Sequence, residues 1–150
     1  EDFADGGKIC VILGDNIIEN NINQAVEDFR RQEKGAKVLL KKVEDPHRFG
    51  VVEFGDDGKT IKRIIEKPKD PPSDMAVTGY YMYDGRVFDI CRTLKPSGRG
   101  ELEITDVNND YLARGELTWS ELTGWWTDAG TVPSLLRATN LVAETGANNV

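Results

Sequence analysis

Two short apolar runs, Lys8–Leu13 and Lys37–Val43, separated by one helix's length of amphipathic sequence, constrain the fold of this chain more than any other feature. The first run ends at Gly14-Asp15-Asn16. A continuous apolar run bounded by turn residues predicts a strand buried on both faces, as in a parallel sheet. Between the runs, Asn21 stands at the cap of a helix whose Ile22, Val26 and Phe29 share one face, and Gly35 ends it. Strand, helix and strand within about 35 residues make a right-handed crossover unit.

The middle of the chain changes character. Gly50–Phe54 and Thr60–Glu66 are β-rich and joined by Asp56-Asp57-Gly58-Lys59, a hairpin signal. Pro68–Ser73 predicts a loop, and Val77–Tyr83, which carries three tyrosines, an alternating strand. Helices are predicted over Val87–Thr93 and Asp106–Ala113, and a strand over Leu117–Leu122. The last helix spans Thr131–Glu144, with Pro133 in its first turn, where a missing N–H costs little. Alternating elements with an antiparallel insert predict one α/β domain with a mixed sheet.

Charge narrows the partners. The net charge is −7, with acidic and basic residues interleaved, so no basic stripe for nucleic acid is present. Small phosphorylated ligands, which need only a few local cations, remain open. No segment approaches the ~18 apolar residues of a membrane span. Cys10 and Cys91 match no metal or redox spacing; both are expected to be small buried core residues, as fits a reducing, cytoplasmic compartment. The acidic start, Glu1–Asp5, is unlike a signal peptide, and the missing initiator methionine suggests an interior cut or a processed chain.

Several residues are candidates for chemistry. Asp15 follows the first predicted strand, at the rim where ligands bind in open α/β sheets, although an aspartate there also forms turns and caps. Asp128 lies in the loop before the last helix and is open to two readings, metal ligand or helix-dipole partner. Two carboxylates on separate loops suit a magnesium ion whose other ligands are phosphates and waters. Glu66 and Lys67, ahead of Pro68, can accept from sugar hydroxyls and pair with a phosphate, or stand as solvated surface. Gly50 permits a close approach or a turn, and Arg99, in a loop before a helix, meets an anion or solvent. His47 is given no role, and the tyrosines and Trp119 read as core or sheet-face residues.

In order, Leu13-Gly14-Asp15-Asn16, Arg48-Phe49-Gly50-Val51-Val52, Glu66-Lys67-Pro68, Val77-Thr78-Gly79-Tyr80-Tyr81, Arg99 through Asn108, and Trp126-Thr127-Asp128-Ala129-Gly130-Thr131 resemble motifs of the sugar nucleotidyltransferases, and within them the glucose-1-phosphate thymidylyltransferases. The resemblance runs from about Lys8 to about Leu141. It implies a Rossmann-like nucleotidyltransferase fold, incomplete at its N-terminal side, with residues 1–150 as the C-terminal, sugar-phosphate-binding portion. It also implies transfer of a thymidylyl group from dTTP to glucose 1-phosphate, releasing pyrophosphate. By the family pattern Asp15 and Asp128 would hold Mg2+, Glu66 would bind sugar hydroxyls, and Lys67 and Arg99 would bind the sugar's phosphate as the catalytic cations. Gly50 and Val77 would touch the sugar through backbone, and Trp126 would wall the pocket.

Phe49 stands where the family often has tyrosine. The family's glycine-rich triphosphate loop would lie upstream of Glu1, so this chain alone is not expected to turn over dTTP. An exposed sheet edge in such a portion points to a homo-oligomer. Uridylyl- and guanylyltransferases of the same family, and a non-catalytic sugar-phosphate-binding or assembly module, are the alternatives.

Overall fold

The computed structural model describes all 150 residues. The chain runs β1 (Ile9–Ile12), β2 (Asn16–Ile18), α1 (Asn23–Arg31), β3 (Ala36–Lys42), β4 (Gly50–Phe54), β5 (Ile61–Glu66), β6 (Met75–Tyr83), α2 (Val87–Thr93), α3 (Ile104–Ala113), β7 (Leu117–Glu121), β8 (Trp126–Asp128) and α4 (Val132–Thr145). Strands β5-β4-β6-β3-β7 form the main sheet in that order, with β1 also paired to β6. Only β3 and β7 run parallel; the other pairings are antiparallel, which gives the mixed α/β sheet that the sequence predicts. The hairpin forms across the expected turn. There the Asp57 carboxylate accepts from the backbone N–H groups of Lys59 and Thr60.

The strands buried on both faces are β6 and, from Ala36 to Leu40, β3; β1 is not. In β6 every residue from Ala76 to Tyr83 is buried. Its two halves are flanked differently: β3 runs along most of its length, while β4 meets its start and β1 its end. Strand β1 has β6 as its one neighbour, so Ile9 and Val11 pack on the core while Cys10 and Ile12 face outward. Strands β1 and β3 are parallel to each other, as the crossover pattern requires, but with β6 inserted between them.

The expectation of buried cysteines is corrected as well, since both are exposed. Cys10 lies on the open face of an edge strand. Cys91 follows Ile90 on α2, and one residue's rotation carries it off the face that buries Val87 and Ile90.

Two cores lie on opposite faces of the sheet. The larger joins Val38, Leu40, Val77, Tyr81 and Tyr83 to α2 and α3 through Ile90, Val107 and Tyr111. The smaller joins Leu39, Tyr80 and Met82 to Phe29 of α1 and to Ile18 and Trp126. Alternation along β6 divides its side chains between them. The cap of α1 is Ile22 and not the predicted Asn21, which stands one residue earlier with its Oδ1 accepting from the N–H of Asn23 at 2.9 Å.

A buried carboxylate closes the end of the sheet. Asp84, just past β6, accepts from the N–H of Gly35 at 2.6 Å, the Tyr111 hydroxyl at 2.8 Å and the Arg86 guanidinium at 2.6 Å. Arg86 also pairs with Glu116 ahead of β7. Burial works against the Asp84 carboxylate, but the donors from Arg86, Gly35 and Tyr111 outweigh it and hold its pKa at about 2, against an ordinary 3.8. A depressed carboxylate stabilises the fold above its unfolded pKa and loses that contribution as pH falls through the folded value. Stability in urea is therefore expected to decline between about pH 4 and about pH 2. Asp84→Asn should flatten that decline and lower stability at neutral pH by about 2 kcal/mol.

Candidate active site

Strands β2 and β8, three residues each, are too short to show alternation in the sequence, yet they assemble the site. They pair antiparallel, Asn16 opposite Asp128 and Ile18 opposite Trp126. The N–H of Ala129 donates to the carbonyl of Asp15 at 2.7 Å, so the two candidate metal carboxylates flank one end of this ribbon. They lie on a hydrogen-bonded ribbon, not on the two independent loops that the sequence predicts.

Asn16 fixes the ribbon to the sheet. Its Oδ1 accepts from the N–H of Gly79 at 2.8 Å and from the Trp126 indole at 2.7 Å. Its Nδ2 donates to Asp15 Oδ1 at 2.9 Å, and its carbonyl accepts from the Tyr80 hydroxyl at 3.1 Å. The contact at β6 leaves no room for a side chain: a Cβ on Gly79 would lie 2.5 Å from the Asn16 amide. The sequence reading assigned no role to Asn16 or Gly79, although both lie inside the motifs it singled out. What a polar side chain holds together is visible only in three dimensions.

Asp15 and Asp128 fit a divalent cation. A Cβ at Gly130 would stand 3.1 Å from Asp15 Oδ2 and 3.7 Å from Asp128 Oδ2, so both oxygens face one space that the glycine leaves open. Carboxylate oxygens suit a hard cation such as magnesium. No third acidic residue, histidine or cysteine joins them, which leaves the other coordination positions to water and ligand oxygens.

A cleft of about 280 Å³ extends from this pair across the face of the sheet. It is lined by Asp15, Asp128, Gly50, Glu66, Lys67, Val77 and Trp126, together with Arg48 and the N-terminal half of α3 at Ile104, Thr105 and Asn108. Gly50 stands opposite Glu66 in the β4–β5 ladder. A Cβ there would come within 3.2 Å of the Thr105 hydroxyl and 3.3 Å of Glu66 Oε2. The glycine thus admits the 2.6 Å hydrogen bond that Thr105 donates to Glu66. That bond leaves Glu66 Oε1 to face other donors.

Lys67 lines the same cleft through a backbone the sequence does not predict. Its φ is +42°, a left-handed conformation instead of the extended one favoured before proline. Its N–H donates to the carbonyl of Phe49 at 2.9 Å, which ties this strained turn to the start of β4. Trp126 packs edge-on against Phe49 with ring centroids 5.0 Å apart.

Arg99 is the one candidate outside the cleft lining. Its guanidinium is 2.7 Å from Glu101 and 3.8 Å from both Glu66 and Glu103. The anions that explain an arginine before a helix are thus the chain's own carboxylates. A second hollow, about 380 Å³, shares Arg48, Phe49, Trp126 and Asp128 but contains neither Asp15, Glu66 nor Lys67.

The mixed α/β sheet thus brings paired carboxylates, a glutamate that accepts from a hydroxyl, and a lysine into one cleft. The chain belongs to the nucleotidyl transferase family, whose model it matches over residues 1–145. It is 46% identical over 144 residues to the glucose-1-phosphate thymidylyltransferase of Xanthomonas campestris pv. campestris, covering 94% of this chain and 48% of that protein. A crystal structure of a Bacillus anthracis protein described as a glucose-1-phosphate thymidylyltransferase, in complex with sucrose, superposes with a TM-score of 0.88 at 55% identity, covering 95% of this chain and 57% of the other. A UDP-glucose pyrophosphorylase bound to UDP-glucose superposes with a TM-score of 0.83 at 26% identity, over 96% of this chain and 59% of the other. The chain spans about half the length of the curated relatives it matches.

Gly79→Ala tests the docking of the ribbon. The added carbon must displace the Asn16 amide, so a loss of about 1–3 kcal/mol is expected in chemical denaturation. A shift in tryptophan fluorescence should accompany it, from release of the Trp126 indole.

Proposed function

We propose that this chain is the sugar-1-phosphate-binding portion of an enzyme that transfers a thymidylyl group from dTTP to glucose 1-phosphate, giving dTDP-glucose and pyrophosphate. The observation that carries this reading is the convergence of Asp15, Asp128, Glu66 and Lys67 on one cleft beside Gly50 and Trp126. The similarity to glucose-1-phosphate thymidylyltransferases over nearly the whole chain supports it.

In this reading a phosphate oxygen of the sugar phosphate attacks the α-phosphorus of dTTP, a P–O bond forms, and the bond to pyrophosphate breaks. Such a reaction needs positioning and charge neutralisation and no covalent nucleophile. Glu66, with one oxygen occupied by Thr105, accepts from sugar hydroxyls through the other. Lys67 pairs with the sugar's phosphate, and Arg99 reaches it by leaving Glu101. Gly50 and Val77 offer backbone to the sugar ring while Trp126 closes one wall. Asp15 and Asp128 would hold Mg2+, which would offset phosphate charge where the two substrates meet. In this reading the triphosphate and base contacts fall to a glycine-rich loop that the chain itself does not contain.

Two experiments test the proposal. Glucose 1-phosphate titrated into the chain should perturb the NMR signals of the cleft residues, and Lys67→Ala should weaken binding about tenfold or more. Unperturbed cleft signals at saturating ligand would reject the site. In a full-length protein carrying this sequence, Asp128→Asn should lower kcat by about a hundredfold or more.

A second reading, uridylyl transfer, draws on the match to UDP-glucose pyrophosphorylase. Comparing UTP with dTTP as co-substrate of the full-length protein decides between them.

A further inference from the structure

One cation in the cleft has no part in the reading above. Arg48 donates through Nη2 to Asp128 Oδ2 at 3.0 Å, the same oxygen that faces the space above Gly130. Its guanidinium also lies over the Phe49 ring, 5.2 Å from the centroid, and the side chain borders both hollows. Lys67, the other cation of the cleft, has no carboxylate within ion-pair distance, so Arg48 alone offsets the charge of the aspartate pair.

We propose that Arg48 is the resident counter-ion of the Asp15–Asp128 pair, held on Asp128 until a divalent cation binds and withdrawn when it does. The inference rests on the proposed cation site. A cation held by the two oxygens that face the Gly130 space would compete with Arg48 for Asp128 Oδ2. Two positive groups on that one oxygen would repel each other. The side chain has room to leave, since it is 40% exposed and one wall of each hollow. Stacking on Phe49 keeps it near the site once released, beside the region assigned to the sugar's phosphate. Arg48 is therefore a positioning residue: it offsets half the charge of the aspartate pair and lowers the affinity for the cation that replaces it.

The test is Mn2+ affinity, read by the loss of free-ion EPR signal at low ionic strength, which does not depend on turnover. Arg48→Gln should bind Mn2+ about three- to five-fold more tightly than the unmodified chain, the range expected for removing a partly exposed competing ion pair. Arg48→Leu repeats the loss of charge while keeping apolar contact with Phe49, and guards against a folding defect in the first variant. Arg137→Gln removes the same charge from the rim of the neighbouring hollow without touching Asp128, and should change affinity by less than about twofold. Unchanged or weaker binding in both Arg48 variants overturns the inference, as does an equal gain in Arg137→Gln. If Asp128→Asn binds Mn2+ as the unmodified chain does, the cation site itself is wrong, a different failure.

Discussion

Strand β6 must satisfy three neighbouring strands and two cores at once, and the rest of the fold is arranged to let it. Its backbone is shared among β1, β3 and β4, and its side chains are divided between helices α2 and α3 on one face and α1 with the β2–β8 ribbon on the other. A strand enclosed on both faces has no position free for solvent, so each residue is set by what it meets. Gly79 is the clearest case: it is glycine because the Asn16 amide occupies the space of its side chain. Where β6 ends, Asp84 gathers the backbone of Gly35, the Tyr111 hydroxyl and Arg86, fixing β3 and α3 against the sheet.

The site inherits its geometry from that strand. Asn16 is held by Gly79 and Trp126, and it in turn holds Asp15. Gly50 and Glu66 face each other because β4 and β5 are in register, and Thr105 reaches Glu66 because α3 packs on the same face. Charge is balanced inside the cleft as well as around it. Arg48 sits on Asp128, and Arg99 on Glu101 with Glu66 and Glu103 nearby. Ligands that carry both a cation and a phosphate would thus exchange partners with groups already paired, instead of entering a bare field.

Much of this was legible in the sequence. Apolar runs, turn residues and helix caps located the principal strands and helices, because those signals are local. The assignment of the doubly buried strand to Lys8–Leu13 failed for a non-local reason. An apolar run shows that a strand packs, not how many neighbours it has, and β1 has one. The cysteines failed alongside it, Cys10 because its strand is at an edge and Cys91 because α2 buries a narrow stripe. At the site, the motifs named the residues that line the cleft but not those that hold them. Asn16, Arg48, Gly79 and Thr105 lay within those motifs without a role, since their partners are remote in sequence. Lys67 lines the cleft by way of a left-handed turn that the rule for residues before proline does not predict.

The β2–β8 ribbon joins parts of the chain far apart, the Asn16–Trp126 hydrogen bond closing a separation of 110 residues. Contacts of that span reward the chain only after the loops between them have been closed. The two carboxylates beside the ribbon therefore have no local way of meeting. They meet only through the pairing of three-residue strands, which are held by few bonds of their own. Separation of the ribbon would part the aspartates while the six-stranded sheet stayed intact. A cation gripping both would act as a clasp across that separation, stabilising the folded chain by its affinity for it.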